Sequence, residues 1–269
     1  MKKLFRYLLG GRLLLALIVS FVLIAALTLA LSTVVISRAI RDYMTGAEAE
    51  RVERDMVLAR AFYQLKLDEV AAISYRLALD AWVQQSFEEA KQHDPEAIRI
   101  IDQQIANKIT VLALGGTHFI AVLDAEGHIL VGRVLDRHDT LSPTITQGNW
   151  GQLPIVQATL SKGQAQKATE VIPAEFLSQV GLEQQAFIPL QETPLAAPEP
   201  FDPREGTAGL ALVGVRPLYD AHGQLQGAVL AMYLFNNDYT LVDRIKEVAG
   251  IDTVTIFLGD LRVSGRLQS

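Results

Sequence analysis

The sequence predicts an α+β protein: an N-terminal transmembrane helix, a long helix, and then an antiparallel sheet. Three observations carry this. An uncharged apolar run near the N-terminus is long enough to cross a bilayer. A proline-free stretch rich in Ala, Leu, Glu, Arg and Gln follows from Ser37 to Asp94. Beyond Gly115-Gly116 the apolar period changes from helical to strand-like, in hairpin-sized units divided by glycine-containing turns. Hairpin-paired strands with helices gathered on one side are an α+β arrangement.

The apolar run, "LLLALIVSFVLIAALTLALSTVVI", spans Leu13 to Ile36, and only Ser20, Thr28, Ser32 and Thr33 in it are polar. At about 1.5 Å rise per residue it crosses a hydrocarbon core of about 30 Å. Lys2, Lys3, Arg6 and Arg12 precede it, so residues 1–12 are expected to stay cytoplasmic, although Arg38 and Arg41 weaken the contrast. Signal-peptide cores run about 7–15 residues. The length therefore favours an uncleaved anchor over a leader processed near Ala30-Leu31-Ser32.

The 269 residues leave room for one large domain or two small ones after the anchor. A net charge of -6 argues against nucleic acid as a partner. The absence of cysteine excludes disulfides and thiolate chemistry. The five histidines show no H-x-x-x-H or H-E-x-x-H spacing, and neither a phosphate-binding G-x-x-x-x-G-K-[ST] loop nor a G-x-S-x-G elbow occurs. No catalytic residue, metal or cofactor is therefore expected, and an anchored hydrolase is the weakest reading.

In the helical stretch Met56, Tyr63, Val70 and Leu77 recur every seventh residue, with Ala59 and Ile73 on the same side; Leu58, Phe62 and Leu65 form a second apolar line. Either one line covers a sheet while the other meets a second copy in a homodimer, or both make one wide stripe in a monomeric core. Lys66 and Asp80 interrupt the heptad and argue against a long regular coiled coil. His93-Asp94-Pro95 ends this helix. Glu96 to Leu114 forms the next, with Ile98, Ile101, Ile105, Ile109 and Leu112 at helical spacing and Gly115-Gly116 as its stop.

"HFIAVLDAEGHILVGRV" (His118 to Val134) reads as strand, turn, strand around Asp124 to Gly127. An irregular crossing follows, punctuated by Pro143, Gly148, Pro154, Gly163 and Pro173, with a short strand in "QAQKATEVI". Glu192 to Gly206 holds four prolines and reads as an exposed loop. "AGLALVGVRPLYDAHGQLQGAVLAMYLF" is a second hairpin around Asp220 to Gly223. Asn236 to Asp238 cap a helix through Val248, and Gly250 closes it. "VTIFLGDLRVSGRLQS" (Val254 to Ser269) then opens a third hairpin.

This order resembles the Cache sensor domains, PAS-like extracytoplasmic modules of bacterial chemoreceptors, histidine kinases and cyclases. The residues that carry the resemblance are "FIAVLDAEGHILVGRV", "GLALVGVRPLYDAHGQLQGAVLAMYLF" and "VTIFLGDLRVS", from Arg38 to the end behind an anchor. The family's "D-x-x-G" turn is matched by Asp124 and Gly127. Its "P-[LIV]-x-D-x-x-G-x-x-x-G" hairpin is matched by Pro217, Leu218, Asp220, Gly223 and Gly227. The resemblance implies a single-pass protein of the inner membrane, a periplasmic sensor domain over residues 37–250, and signalling to a cytoplasmic output domain. Residues 251–269 are then the opening hairpin of a second module, as in double-Cache sensors, and the chain is expected to be a truncated receptor. The alternative is that Val254 to Val263 adds to the first sheet as an edge.

The resemblance also implies a ligand pocket over the sheet, under the crossing. The candidate ligand residues are Arg133, His138, Trp150, Arg216 and Tyr233. Each has an ordinary alternative: solvated or paired strand ends for the arginines, core for Tyr233 and Trp150, a charged loop for His138 among Asp136, Arg137 and Asp139. The basic residue with adjacent aromatics of amino-acid-binding members is represented by a lone Trp150. The His-Pro pair of carboxylate-binding members is replaced by Gly132-Arg133, with His138 displaced. An organic acid, an amino acid and an amine all stay open as ligand, and so does a non-binding dimerisation or spacer ectodomain.

Overall fold

The computed structural model describes residues 2–109, 116–189 and 207–265. Helix α1 (Lys2–Ala78) begins it, and the chain divides into two compact units, Met1–Val57 and Leu58–Ser269. In the first unit Leu17–Arg41 has a mean hydropathy of 2.6 and none of it is buried. Its hydroxyls turn back onto their own helix: Ser20 donates to the Leu17 carbonyl, Thr28 to Ile24 and Thr33 to Leu29. A helix that returns such hydroxyls to its own backbone beneath a largely apolar surface suits hydrocarbon.

In the second unit the remainder of α1 lies on the sheet. Leu67, Val70, Ile73 and Leu77 are buried, Tyr63 and Phe62 are half-buried, and Leu65 is exposed. The helix does not run on to Asp94 as the composition suggests. It stops at Ala78, because Asp80 caps a new helix, α2 (Ala81–Lys91), accepting from the N–H groups of Trp82 (3.0 Å) and Val83 (3.4 Å). Asp94 caps α3 (Pro95–Ile109) in the same way, and Ile101, Ile105 and Ile109 face inward. The expected continuation through Leu112 to Gly115 lies outside the described residues.

Five strands, β1 (Phe119–Asp124), β2 (Ile129–Val134), β3 (Gln166–Ile172), β4 (Gly209–Tyr219) and β5 (Leu225–Leu234), form an antiparallel sheet in the order β2-β1-β5-β4-β3. The β1–β2 and β4–β5 turns share one construction. Asp124 Oδ1 accepts from the N–H groups of Glu126 and His128, Asp220 Oδ1 from those of His222 and Gln224, and Gly127 (φ 85°) and Gly223 (φ 77°) take the left-handed position.

The crossing between β2 and β4 is more ordered than its punctuation suggests. It holds α4 (Pro154–Lys162), α5 (Ala174–Val180) and α6 (Glu183–Ala186), besides the expected strand β3. Pro154 opens α4, and Gly163 (φ 64°) and Gly181 (φ 78°) close α4 and α5. Single bridges at Asn149, Ile145 and Leu141 cover the outer side of β2, while β3 is the opposite edge. The proline-rich Glu192 to Gly206 lies outside the described residues.

Two cores result, one on each face. Ile120, Val122, Val131, Val229 and Tyr233 pack with α1 and α3; Phe119, Leu123, Leu230, Met232 and Val213 pack with Trp150, Leu153 and Leu177 of the crossing. After β5, α7 (Thr240–Ala249) is followed by β6 (Ile256–Leu258) and β7 (Leu261–Ser264), a separate two-stranded sheet. The hairpin is thus not an edge of the five-stranded sheet. Val263 is nevertheless buried in the helix-side core, and its carbonyl accepts from the Asn237 N–H at 2.9 Å.

Candidate functional site

The five residues singled out in the sequence do not gather over one face. Arg133, Arg216 and Tyr233 lie on the helix side, because they pair across the sheet with Ile120, Val229 and Leu212, all members of that core. Trp150 belongs to the crossing side, fully buried, with ring centroids 4.8 Å from Phe119 and 5.6 Å from Phe176. His138 is exposed in a turn closed by Asp136 Oδ1, which accepts from the N–H groups of His138 and Thr140. Expecting a common pocket for Arg133, Trp150 and Arg216 overlooked strand parity, which sends neighbouring residues to opposite faces.

The crossing side, where the resemblance places a ligand, is filled by Trp150, Phe176, Leu177 and their neighbours. The polar groups that remain on the helix side divide sharply. Arg133 grips Asp102 of α3 with Nε and Nη2, each 2.6 Å from a carboxylate oxygen, and donates through Nη1 to the Ser142 carbonyl. Hydrogen bonding to Asp102 raises its pKa above the usual guanidinium value. A fork-on-fork pair of this kind consumes the residue's donors.

Arg216 is held differently. Its guanidinium lies 4.8 Å from the centroid of the Tyr75 ring on α1, and among the described residues no carboxylate reaches it as an ion-pair partner. It stands on the wall of a cleft of about 740 Å³ with Leu79, Gln84, Gln85, Gln164 and Tyr219. The Tyr219 hydroxyl donates to the Gly163 carbonyl, which fixes one wall. Asp220 also lines the cleft, but its carboxylate is turned into its own turn and accepts from the Gln226 amide as well. Among the described residues the opening thus presents one half-buried cation and the amides of Gln85 and Gln164, with that of Gln84 already donating to the Ala78 carbonyl at 2.8 Å. Arg216 was legible in the sequence; Gln84, Gln85 and Gln164 were not, since they meet only through the fold.

A second polar cluster is deeply buried and was missed. Lys66, read as a break in the heptad, is fully buried with Nζ 3.3 Å from Glu69 Oε2 and 4.3 Å from the Tyr233 ring centroid. Burial pushes its ammonium below the ordinary lysine value, against the pull of Glu69 and Asp238. The Tyr233 hydroxyl donates to Asp238 Oδ1 at 2.8 Å, and burial first, then Asp238, raises the phenol well above its usual pKa. Burial also works against the Asp238 carboxylate, yet hydrogen bonds led by His118 hold it below the usual value. Asp124, Glu126 and His128 approach one another in the first hairpin turn, where Asp124 is already occupied by backbone N–H groups.

No family model matches the chain, and no curated protein matches it. Among solved structures it is similar to the periplasmic domain of Vibrio cholerae LuxQ, at 12% identity and a TM-score of 0.47, over 80% of this chain and 78% of that one. It is also similar to a domain assigned to the sensory box/GGDEF family from Vibrio parahaemolyticus (11% identity, TM-score 0.44, 67% of this chain). A third is the extracellular domain of vpHK1S-Z8, described as a histidine kinase (11% identity, TM-score 0.45, 71% of this chain). The chain spans 57% of the Vibrio parahaemolyticus domain and 60% of vpHK1S-Z8.

Proposed function

We propose that this chain is the extracytoplasmic sensing part of a membrane-anchored signalling receptor, and that it receives a small anionic molecule in the Arg216 cleft. Arg216 carries the proposal. A half-buried guanidinium with an aromatic ring on one side and, among the described residues, no ion-pair partner favours an incoming anion, and it offers donors in the planar geometry that carboxylates match. The surrounding glutamine amides both donate and accept, which suits a ligand with further polar groups. Tyr75 belongs to α1 and Arg216 to β4, so an anion that draws the guanidinium away from the ring alters a contact between helix and sheet. Such a change biases signalling to the extent that ligand affinity differs between the two arrangements.

A thermal-shift screen of organic acids, amino acids and amines on the full-length chain tests this. A ligand at about a hundred times its Kd adds about 2.7 kcal/mol of stability. Arg216→Ala is expected to abolish the shift and Arg133→Ala to keep it, because Arg133 is committed to Asp102. A hit that survives Arg216→Ala places the ligand elsewhere. A panel of anions without a hit favours the second reading, a non-binding spacer or dimerisation ectodomain, which the filled crossing face supports. Orientation is checked separately: a reporter fused at Gly151 is expected to work only if it is active in the periplasm, and cytoplasmic activity there ends the sensor reading.

A further inference from the structure

The helix-side core contains a polar island that joins four parts of the second unit. From α1, Lys66 Nζ reaches Glu69, the Gly116 carbonyl at 3.4 Å and the face of Tyr233. Tyr233, on β5, passes the contact on through its hydroxyl to Asp238, at the head of α7. His118 stacks on Tyr233 with centroids 5.0 Å apart and places Nε2 3.1 Å from Asp238 Oδ2. The Leu234 N–H donates to His118 Nδ1 at 3.0 Å, so Nε2 carries the proton that faces Asp238. Asp238 in turn accepts the Thr240 N–H of α7 on its carboxylate and the Ser264 hydroxyl of β7 on its carbonyl. Beside it the Asn237 N–H donates to the Val263 carbonyl.

Cohesion alone does not call for such an island. Well-packed apolar side chains of similar volume commonly do as well as a buried ion network, or better. Polar contacts differ from apolar ones in direction: a hydrogen bond weakens steeply with angle and distance, whereas an apolar contact tolerates sliding. We propose that the chain Lys66–Tyr233–Asp238–Ser264 is a coupling joint that ties the position of α1 to that of the C-terminal hairpin, so that a displacement of either is transmitted to the other. The coupling must be reciprocal, because a free energy linking two positions acts in both directions.

Hydrogen exchange on the full-length chain in lipid nanodiscs tests this without any ligand. Lys66→Met keeps the volume and removes the polar end. It is expected to speed exchange in β6, β7 and the first turn of α7 by about tenfold, while β1 and β4 stay within about twofold of the unaltered protein. Ser264→Ala, at the other end, is expected to speed exchange in α1 around Lys66. In the double variant the two effects should not multiply, since each opens the same joint. Hairpin exchange unchanged by Lys66→Met overturns the proposal, as does acceleration spread evenly over sheet and hairpin. If Lys66→Met does not fold, Ser264→Ala decides alone, and an unaffected α1 then overturns it.

Discussion

The two faces of the sheet come from the same strands and hold different kinds of core. Facing the crossing, Phe119, Leu123, Leu230 and Met232 close over Trp150 in an aromatic and aliphatic packing. One residue along each strand, the helix face brings Tyr233 together with Lys66, Glu69, His118 and Asp238, and carries Arg216 to its rim. Contacts of the first kind are indifferent to small rotations; contacts of the second kind are not. Both faces supply apolar cohesion, but the buried cluster of ionisable groups lies on the helix side, against α1.

The heaviest blow to this contrast is Trp150→Ala. Removing a fully buried indole from the crossing core is expected to cost about 3–5 kcal/mol, read as a lower urea midpoint with unchanged slope. Trp150→Phe sharpens the point: the indole N–H has no partner among the described residues, so most of that loss should be recovered. On the other face Arg133→Ala leaves Asp102 without its fork. Because both side chains keep some solvent contact (19% and 14%), a loss of about 2 kcal/mol is expected rather than the larger cost of a fully buried pair. Asp80→Ala removes the cap that splits α1 from α2, together with the Lys108 ion pair at 2.9 Å, and is expected to cost about 1–2 kcal/mol by the same measurement.

The smallest effect is a slope. The unfolded chain holds the Lys66 proton more firmly than the folded chain, so stability rises with pH between the lowered folded value and the ordinary 10.5. Lys66→Met should flatten that rise when urea unfolding is followed from about pH 8 to about pH 10. Parallel curves would show that Glu69 and Asp238 offset the cost of burial.

Much of this was legible, and the failures share a cause. The two Asp-to-Gly turns announced their hairpins because the side chain, the backbone it caps and the left-handed glycine lie within four residues. In the crossing, Pro154, Gly163 and Pro173 were readable as signals, and Gly181 was passed over, but none was readable as a bracket around helices of nine and seven residues, which are too short to show a clear period. Asp80 looked like a flaw in a heptad when it was a cap, a distinction that rests on two backbone N–H groups. Lys66 is the furthest from sequence reasoning. Glu69, three residues on, is a local partner, but the burial also rests on Tyr233 and Asp238, more than a hundred and sixty residues away along the chain, and no local pattern announces those. The cleft was half legible: an arginine in an apolar strand was conspicuous, but the lack of an ion-pair partner among the described residues depends on where each of their acids falls.

The unequal edges of the sheet bear on how copies of this chain behave when crowded together. One side is shielded by the bridges along β2, whereas β3 is the other edge among the described residues. An open strand edge invites a neighbouring chain to continue it. Here the strand carries Lys167 and Glu170, and Lys167 is paired with Asp68 while the Tyr63 and Thr169 hydroxyls meet above it. A second chain zipping onto β3 would have to strip water from those charges, so stacking of copies edge to edge is discouraged even at high concentration.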